Sequence, residues 1–302
     1  MAAPPLPRRR SVRGDGVDLA VREWGDRAGP TTVLVHGYPD SSTVWDPLVA
    51  ALLATEPGRH VVAYDVRGAG ASSAPRSTAG YGAAHLVADL AAVIDATSPD
   101  APVHLVGHDW GSVQSWVAVR SPEVAARIAS FTSISGPALD HVERWVRAHT
   151  GWRRSQLGPL LRQAARSWYI ACFRVPVVAP LVWRLVLAPA WPHMLRRKEG
   201  VETSPAWPGP GLARDAVNGL HLYRANGGDV GAGPLERTPV PVQILALIDD
   251  AYVTTALLAG LDDLSVDGWV RPVPGGHWVI RRDPLRVAQW IDDHIATVSS
   301  RP

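Results

Sequence analysis

The sequence contains one cysteine, Cys172, one lysine, Lys198, and no apolar run long enough to cross a membrane. A single cysteine excludes an internal disulfide. Paired cysteines and an H-E-x-x-H helix are both missing, which leaves no signature of a bound metal, and nothing calls for an organic cofactor. The greasiest stretch, Val175 to Pro189, is interrupted by Pro176, Pro180 and Arg184. It falls short of the about 20 apolar residues that a spanning helix needs, and is expected to be buried or to face a cavity. No N-terminal segment has the length and cleavage pattern of a secretion signal, so the expected location is cytoplasmic. Charge of one sign is also scarce: the formal net charge is +2, and the arginines are scattered. That balance gives no case for a nucleic-acid partner. Arg8, Arg9 and Arg10 follow a Pro-rich start, so residues 1–10 read as a solvated, disordered arm.

With 46% hydrophobic and 19% charged residues, the 302-residue chain can bury a large core, as one large domain with an insertion. Strand-like and helix-like stretches alternate at first, which predicts a mostly parallel sheet flanked by helices. Strands are expected at Leu19 to Trp24, Thr31 to Val35, His60 to Tyr64, Pro102 to Val106 and Ile128 to Ile134. Helices are expected at Val44 to Ala54, from Leu86 through Ile94, and at Val113 to Arg120, which stops at Ser121-Pro122. Over residues 137–237 the pattern changes to helical pieces rich in Trp, Arg and Pro, which predicts a helical cap inserted into a core of residues 11–136 and 238–302. Strands return at Val240 to Ile248 and Trp269 to Val273. Asp283 is placed to cap a terminal helix from Pro284 to Ala296.

The strongest chemical signal is Gly107-His108-Asp109-Trp110-Gly111, between a buried strand and a helix. A sharp strand-to-helix turn presents its central residue as a nucleophile, and small flanking residues let the segments crowd. Asp109 occupies the position where Ser is usual. A carboxylate there attacks a saturated carbon and forms an alkyl ester. His36-Gly37-Tyr38-Pro39 follows an earlier strand, so the backbone N–H groups of Tyr38 and Trp110 are candidates for an oxyanion hole. Gly275-Gly276-His277-Trp278 offers His277 as general base. The intervening strand ends in Asp249-Asp250, where the chain order of nucleophile, acid and histidine places the acid; register favours Asp250.

These motifs resemble those of the epoxide hydrolases with the α/β-hydrolase fold, over essentially the whole chain after the first ten or so residues. H-G-x-P matches His36 to Pro39, D-x-R-G-x-G-x-S matches Asp65, Arg67, Gly68, Gly70 and Ser72, and the elbow matches Asp109 and Trp110. The second motif lacks the third glycine and the acidic partner of a nucleotide-binding loop. The chain is particularly similar to the hydrolase portion of mycobacterial-type epoxide hydrolases that carry a reductase domain, without a counterpart of that domain. The resemblance implies that Tyr169 and Tyr223 of the cap donate hydrogen bonds to the epoxide oxygen. Trp168 is a further donor if buried, and His36 and Pro39 join it at the substrate site. The acid-bearing strand departs from many relatives in lacking their Gly-Asp pair and the proline that follows. The implied partners are water and a small lipophilic or polycyclic epoxide, without a membrane span, and a homodimer is left open. A haloalkane dehalogenase would use the same Asp, His and Trp with halide donors in place of the tyrosines, an esterase would need Ser at 109, and an inactive binding protein of the same fold is the reading from another class.

Overall fold

The computed structural model describes residues 4–150, 154–227 and 236–300. Eight strands form one sheet in the order β1-β2-β4-β3-β5-β6-β7-β8. Six of them run parallel: β3 (Thr31–Val35), β4 (His60–Tyr64), β5 (Val103–His108), β6 (Ile128–Ile134), β7 (Val242–Leu247) and β8 (Gly268–Val273). β3, β4, β5 and β7 are buried at every position, as continuous Val, Leu and Ile runs require when helices cover both sheet faces. β2 (Asp18–Gly25) pairs antiparallel with β4.

The arginine run is not a loose arm. Arg8–Arg13 is strand β1, antiparallel to β2 in the register Arg10 to Val21. Only Val12 on it is buried. Its arginines are held from outside the core: Arg8 Nη2 donates to the Gly25 carbonyl and Arg10 Nη1 to that of Ala96, both at 2.9 Å. Cationic side chains on an exposed edge also discourage further strands from adding to it.

Helices α1 (Asp46–Thr55), α2 (Ala83–Thr97), α3 (Trp110–Ala118) and the short α4 (Pro122–Ala125) connect the first strands. Between β6 and β7 the described elements are helical: α5 (Leu139–His149), α6 (Arg154–Phe173), α7 (Val178–Val182), a π turn at Trp183–Leu187, α8 (Ala188–Met194), a second π turn at Leu195–Glu199, and α9 (Leu212–Ala225). The short α10 (Thr255–Leu258) and α11 (Val279–Arg282) precede α12 (Pro284–Ser299), which packs on α1. Asp283 caps α12 as its sequence suggests, accepting the Arg286 N–H, with Pro284 at the first helical position.

The Val175 to Pro189 stretch meets expectation in part, since Val178, Ala179, Val182, Trp183 and Leu187 line a cavity. Ala179 and Trp183 face inward, but Val177, Val178, Leu181, Leu185 and Val186 are exposed. One helical turn can bury only one side, and both sides of this one are apolar.

The D-x-R-G-x-G-x-S segment after β4 is a structural brace. Asp65 accepts the N–H groups of Ser42 and Ala71 at 2.7 and 2.8 Å. Arg67 forms a two-pronged pair with the fully buried Asp89 of α2, both contacts 2.7 Å, and donates to the carbonyls of Asp15, Gly80 and His85. Cutting such a pair leaves a buried charge without a partner. Arg67→Ala is expected to lower unfolding free energy by about 3–5 kcal/mol, measured by urea denaturation. A midpoint equal to that of the wild type would mean that Asp89 and the three carbonyls find other partners.

Candidate active site

Asp109 stands where β5 turns into α3, with φ 52° and ψ −122°. Non-glycine residues enter this region at a cost, which close packing must offset. The glycines on either side allow the turn. A Cβ on Gly111 would lie 2.0 Å from the Val35 carbonyl oxygen, and one on Gly107 would lie 2.7 Å from that of Gly111. So held, the carboxylate sits beyond the C-terminal end of the parallel strands, the position at which α/β sheets bind ligands. Its Oδ1 accepts the Tyr38 N–H at 2.7 Å, and the Trp110 N–H also bonds to the carboxylate. The two expected oxyanion donors therefore converge on Asp109. Burial holds the Asp109 carboxyl above the ordinary pKa in spite of these N–H groups and of His277.

His277 reaches the same point from the turn after β8. Its Nε2 lies 3.8 Å from Asp109 Oδ2, and its Nδ1 lies 3.2 and 3.3 Å from the two oxygens of Asp250. Burial opposes charge on the ring, but Asp250, then Asp109 and Glu199, outweigh it and raise the pKa to about 9. Asp250 is buried, while Asp249 is exposed at the end of the same strand. Burial works against the Asp250 charge, yet His277, the Ser135 hydroxyl and the Tyr252 N–H hold its pKa below the ordinary value.

A cavity of about 530 Å3 opens in front of Asp109 and His277. Tyr169 of α6 and Tyr223 of α9 both line it, with ring centroids 6.3 Å apart. Gln163 fixes α6 by bonding the Tyr252 carbonyl and the Thr254 N–H and hydroxyl. Asp215 and Asn218 tie α9 to Gly70 and Gly68. Burial pushes both tyrosine pKa values far up, so each hydroxyl stays protonated and able to donate.

The structure corrects three substrate-site expectations. Trp168 is in the cavity wall, as expected of a substrate-site residue, but it is 67% exposed, so its indole is not the buried donor suggested by its place beside Tyr169. Trp168 and Tyr169 are neighbours on α6, so their side chains point in directions about 100° apart, and Tyr169 takes the inward place. His36 and Pro39 do not line the cavity with Asp109. Both His36 nitrogens are used by the protein, Nδ1 donating to the Gly37 carbonyl and Nε2 accepting the Val66 N–H, each at 2.9 Å. Together they shape the loop that aims the Tyr38 N–H.

Several contacts at the site were not read from the sequence, some by residues outside the motifs and some by motif residues such as His108 and Tyr38 acting through other atoms. Ser135, at φ 54° after β6, shares its hydroxyl between Asp250 and His277 Nδ1. His108 Nε2 donates to the His277 carbonyl at 2.9 Å. Asp40 accepts the indole N–H groups of Trp207 and Trp278 at 2.7 and 2.9 Å, and burial raises its pKa to about 6. Glu199 is buried in the cavity wall, accepts the N–H groups of Trp278 and His277, and is raised by burial. The buried Tyr38 hydroxyl has no protein partner, and the Tyr252 ring lies 4.7 Å from that of His277. Only position after a strand, for Ser135, and proximity to the Pro39 loop, for Asp40, offered a signal.

Known proteins share the fold. Residues 30–170 match the sequence family described as alpha/beta hydrolase fold. Probable oxidoreductase EphD of Mycobacterium tuberculosis is 37% identical over 290 residues, which cover 92% of this chain and 48% of that protein. Epoxide hydrolase A of the same organism is 36% identical over 180 residues, 57% of this chain and 49% of that one. The chain thus spans about half the length of these curated relatives. Among solved structures, an epoxide hydrolase from Vigna radiata superposes with a TM-score of 0.74 at 22% identity, covering 96% of this chain and 98% of that one. Epoxide hydrolase A from Mycobacterium thermoresistibile gives 0.67 at 25% identity, with 96% and 98% coverage.

The two carboxylates on either side of His277 generate a titration test. Asp109→Asn removes an anion facing the ring, so the imidazolium loses support and its pKa falls from about 9 by about 1 to 3. The ring-proton resonances of His277 followed by NMR against pH report this. An unmoved midpoint would mean that Asp109 does not face the base.

Proposed function

The chain is an alpha/beta hydrolase fold protein, and we propose that it converts a lipophilic epoxide to a vicinal diol through an ester on Asp109. The helices of residues 137–237 act as its cap. The observation that carries the reading is the pairing of a carboxylate nucleophile with two protonated tyrosine hydroxyls, Tyr169 and Tyr223, in the wall of one cavity. Displacing oxygen from carbon needs a donor for the alkoxide, and a halide leaving group does not need two hydroxyls.

In the first step Oδ2 of Asp109 attacks an epoxide carbon while Oδ1 stays on the Tyr38 N–H. The carbon–oxygen bond breaks, the oxygen takes its proton from the tyrosine pair, and the proton held by His277 passes to that pair, which restores the hydroxyls and leaves the ring neutral. The ester removes the charge of Asp109, so His277 loses one of the anions that hold it protonated. It then serves as base for a water that attacks the ester carbonyl carbon, with Asp250 and Ser135 supporting the ring. The N–H groups of Tyr38 and Trp110 receive the oxyanion. Collapse breaks the ester bond to the alkyl oxygen, which takes the proton from His277 and leaves as the diol; the proton left on the Asp109 carboxyl then passes to His277, restoring carboxylate and imidazolium.

The oxidoreductase name belongs to a relative about twice as long, of which this chain covers 48%. Here Gly70 closes on the Asp65 carboxylate, and Arg67 is spent on Asp89, so the Gly68–Gly70 turn is filled by the protein. The cavity wall is mainly aromatic and aliphatic, with Trp and Tyr the commonest side chains, which favours a large lipophilic epoxide.

Two experiments test the reading. His277→Gln is expected to react once with a good epoxide and stall, giving an adduct of one substrate mass on the peptide that contains Asp109 in intact-protein and peptide mass spectrometry. Absence of any adduct, with epoxide still hydrolysed by the wild type, would sink the ester. Tyr169→Phe and Tyr223→Phe are each expected to slow ester formation about a hundredfold to a thousandfold, and to change ester hydrolysis much less, in stopped-flow measurements. Ester formation at wild-type speed in both would make the tyrosines packing residues.

A further inference from the structure

Between Glu143 and Glu199 the sequence has eleven arginines and lysines and no acidic residue. The described part of this stretch forms two helical arms, Leu157–Phe173 and Val178–Glu199, that meet at 101°. Their inner faces carry Tyr169, Phe173, Ala179, Trp183 and Trp191 into the cavity wall. Their outer faces are apolar as well. Leu157, Leu161 and Trp168 form one exposed stripe on α6. On the second arm Val178, Leu181, Val182 and Leu185 recur at helical spacing and are 38–73% exposed. A helix apolar all round is ordinarily buried on every side, and a contiguous exposed apolar face marks a binding surface.

The charges on this surface have one sign. Arg162, Arg184, Arg197 and Lys198 are exposed and make no ion pair with a described residue. Trp168, Val178, Val182 and Lys198 are exposed and also line the cavity, so the cavity reaches the outside through this face.

We propose that this face docks on an anionic membrane surface, with its aliphatic side chains and Trp168 at the headgroup boundary, its cations on lipid phosphates, and the cavity mouth turned toward the bilayer. Three alternatives fit the residues less well. Nucleic acid would use the cations but leave the Leu and Val stripes in water. A second copy would oppose cations to cations, since this face supplies no acid to pair them. A span made by the two arms would pull Tyr169 and Trp183 away from the cavity, and no single helix is long and apolar enough to cross. Lying in the interface satisfies both the apolar face and the one-signed charge. The docking does not depend on the chemistry at Asp109.

The test uses the full chain and sedimentation with two vesicle types, pure phosphatidylcholine and an equal mixture of phosphatidylcholine and phosphatidylglycerol. No substrate is present, so failure of the docking and failure of the epoxide reading are separate results. Binding to the anionic vesicles is expected to exceed binding to the neutral ones by about tenfold or more and to weaken as salt rises. Leu161→Glu combined with Leu185→Glu, neither in the cavity wall, is expected to lose about tenfold or more of this binding, with thermal unfolding unchanged. Arg184→Glu with Arg197→Glu provides a second variant, expected to abolish the preference for anionic vesicles. Equal binding to both vesicles, binding to neither, or variants that bind like the wild type would each overturn the proposal. So would a dimer that the Leu161 and Leu185 changes render monomeric, with no uptake by vesicles.

Discussion

The site depends on the carboxylate of Asp109 being held on a backbone that its side chain does not prefer. The φ of 52° is imposed by Gly107 and Gly111, whose neighbours leave no room for a Cβ, and by the Asp109 N–H, which bonds to the Ile134 carbonyl of β6. Once that turn is fixed, the parallel register does the rest. The ends of β3, β6, β7 and β8 bring Tyr38, Ser135, Asp250 and His277 around the end of β5. Neighbouring parallel strands end at one level, so five loops distant in sequence deliver one constellation.

Electrostatically the constellation sets the His277 ring among Asp250, Asp109 and Glu199, while Asp40 is faced by Arg281. Asp250 is kept ionised by direct bonds to His277 and Ser135, whereas burial raises Asp40, Asp109 and Glu199. This gradation separates their tasks. Asp250 is the strongest partner of His277, and Asp109 is desolvated and less tightly paired, as the proposed roles of orienting acid and nucleophile require. Asp40 and Glu199 bond chiefly to the segment around Trp278, and Trp207 and Glu199 come from the insertion. The position of the inserted helices and that of the histidine loop are thereby coupled.

Sequence pattern made the interior legible. β3, β4 and β6 have the bounds that their sequence runs suggest, because a strand covered on both faces is rich in apolar and β-branched residues and admits only a few polar ones, such as Thr31, His60 and Ser130, that are buried with it. The elbow, the histidine turn and the acid after β7 were legible because each must follow a strand. Asp250 and Asp249 differ in what surrounds them, which alternation alone did not decide with equal force. What stayed hidden was partner-dependent. Glu199 and Asp40 matter through Trp278, far away in sequence, and no local pattern marks that meeting. β1 was misread because an edge strand needs only one neighbour, so the side chains of Arg8 to Arg10 carry no buried alternation.

The insertion obeys different physics from the sheet domain. Within the sheet, an apolar residue signals burial, since helices close both faces. In α6 to α8 the same residue types appear on the inner and outer sides of a single helical layer, and only the inner side has protein to cover it. The layer also roofs a cavity, so even its inward groups, Trp183 and Tyr169 among them, face open space on one side. Its inner residues Ala179, Trp183, Trp191 and Leu195 belong to the core, whereas its outer aliphatic residues stand exposed, beside cations with no ion pair to a described residue and beside the cavity mouth.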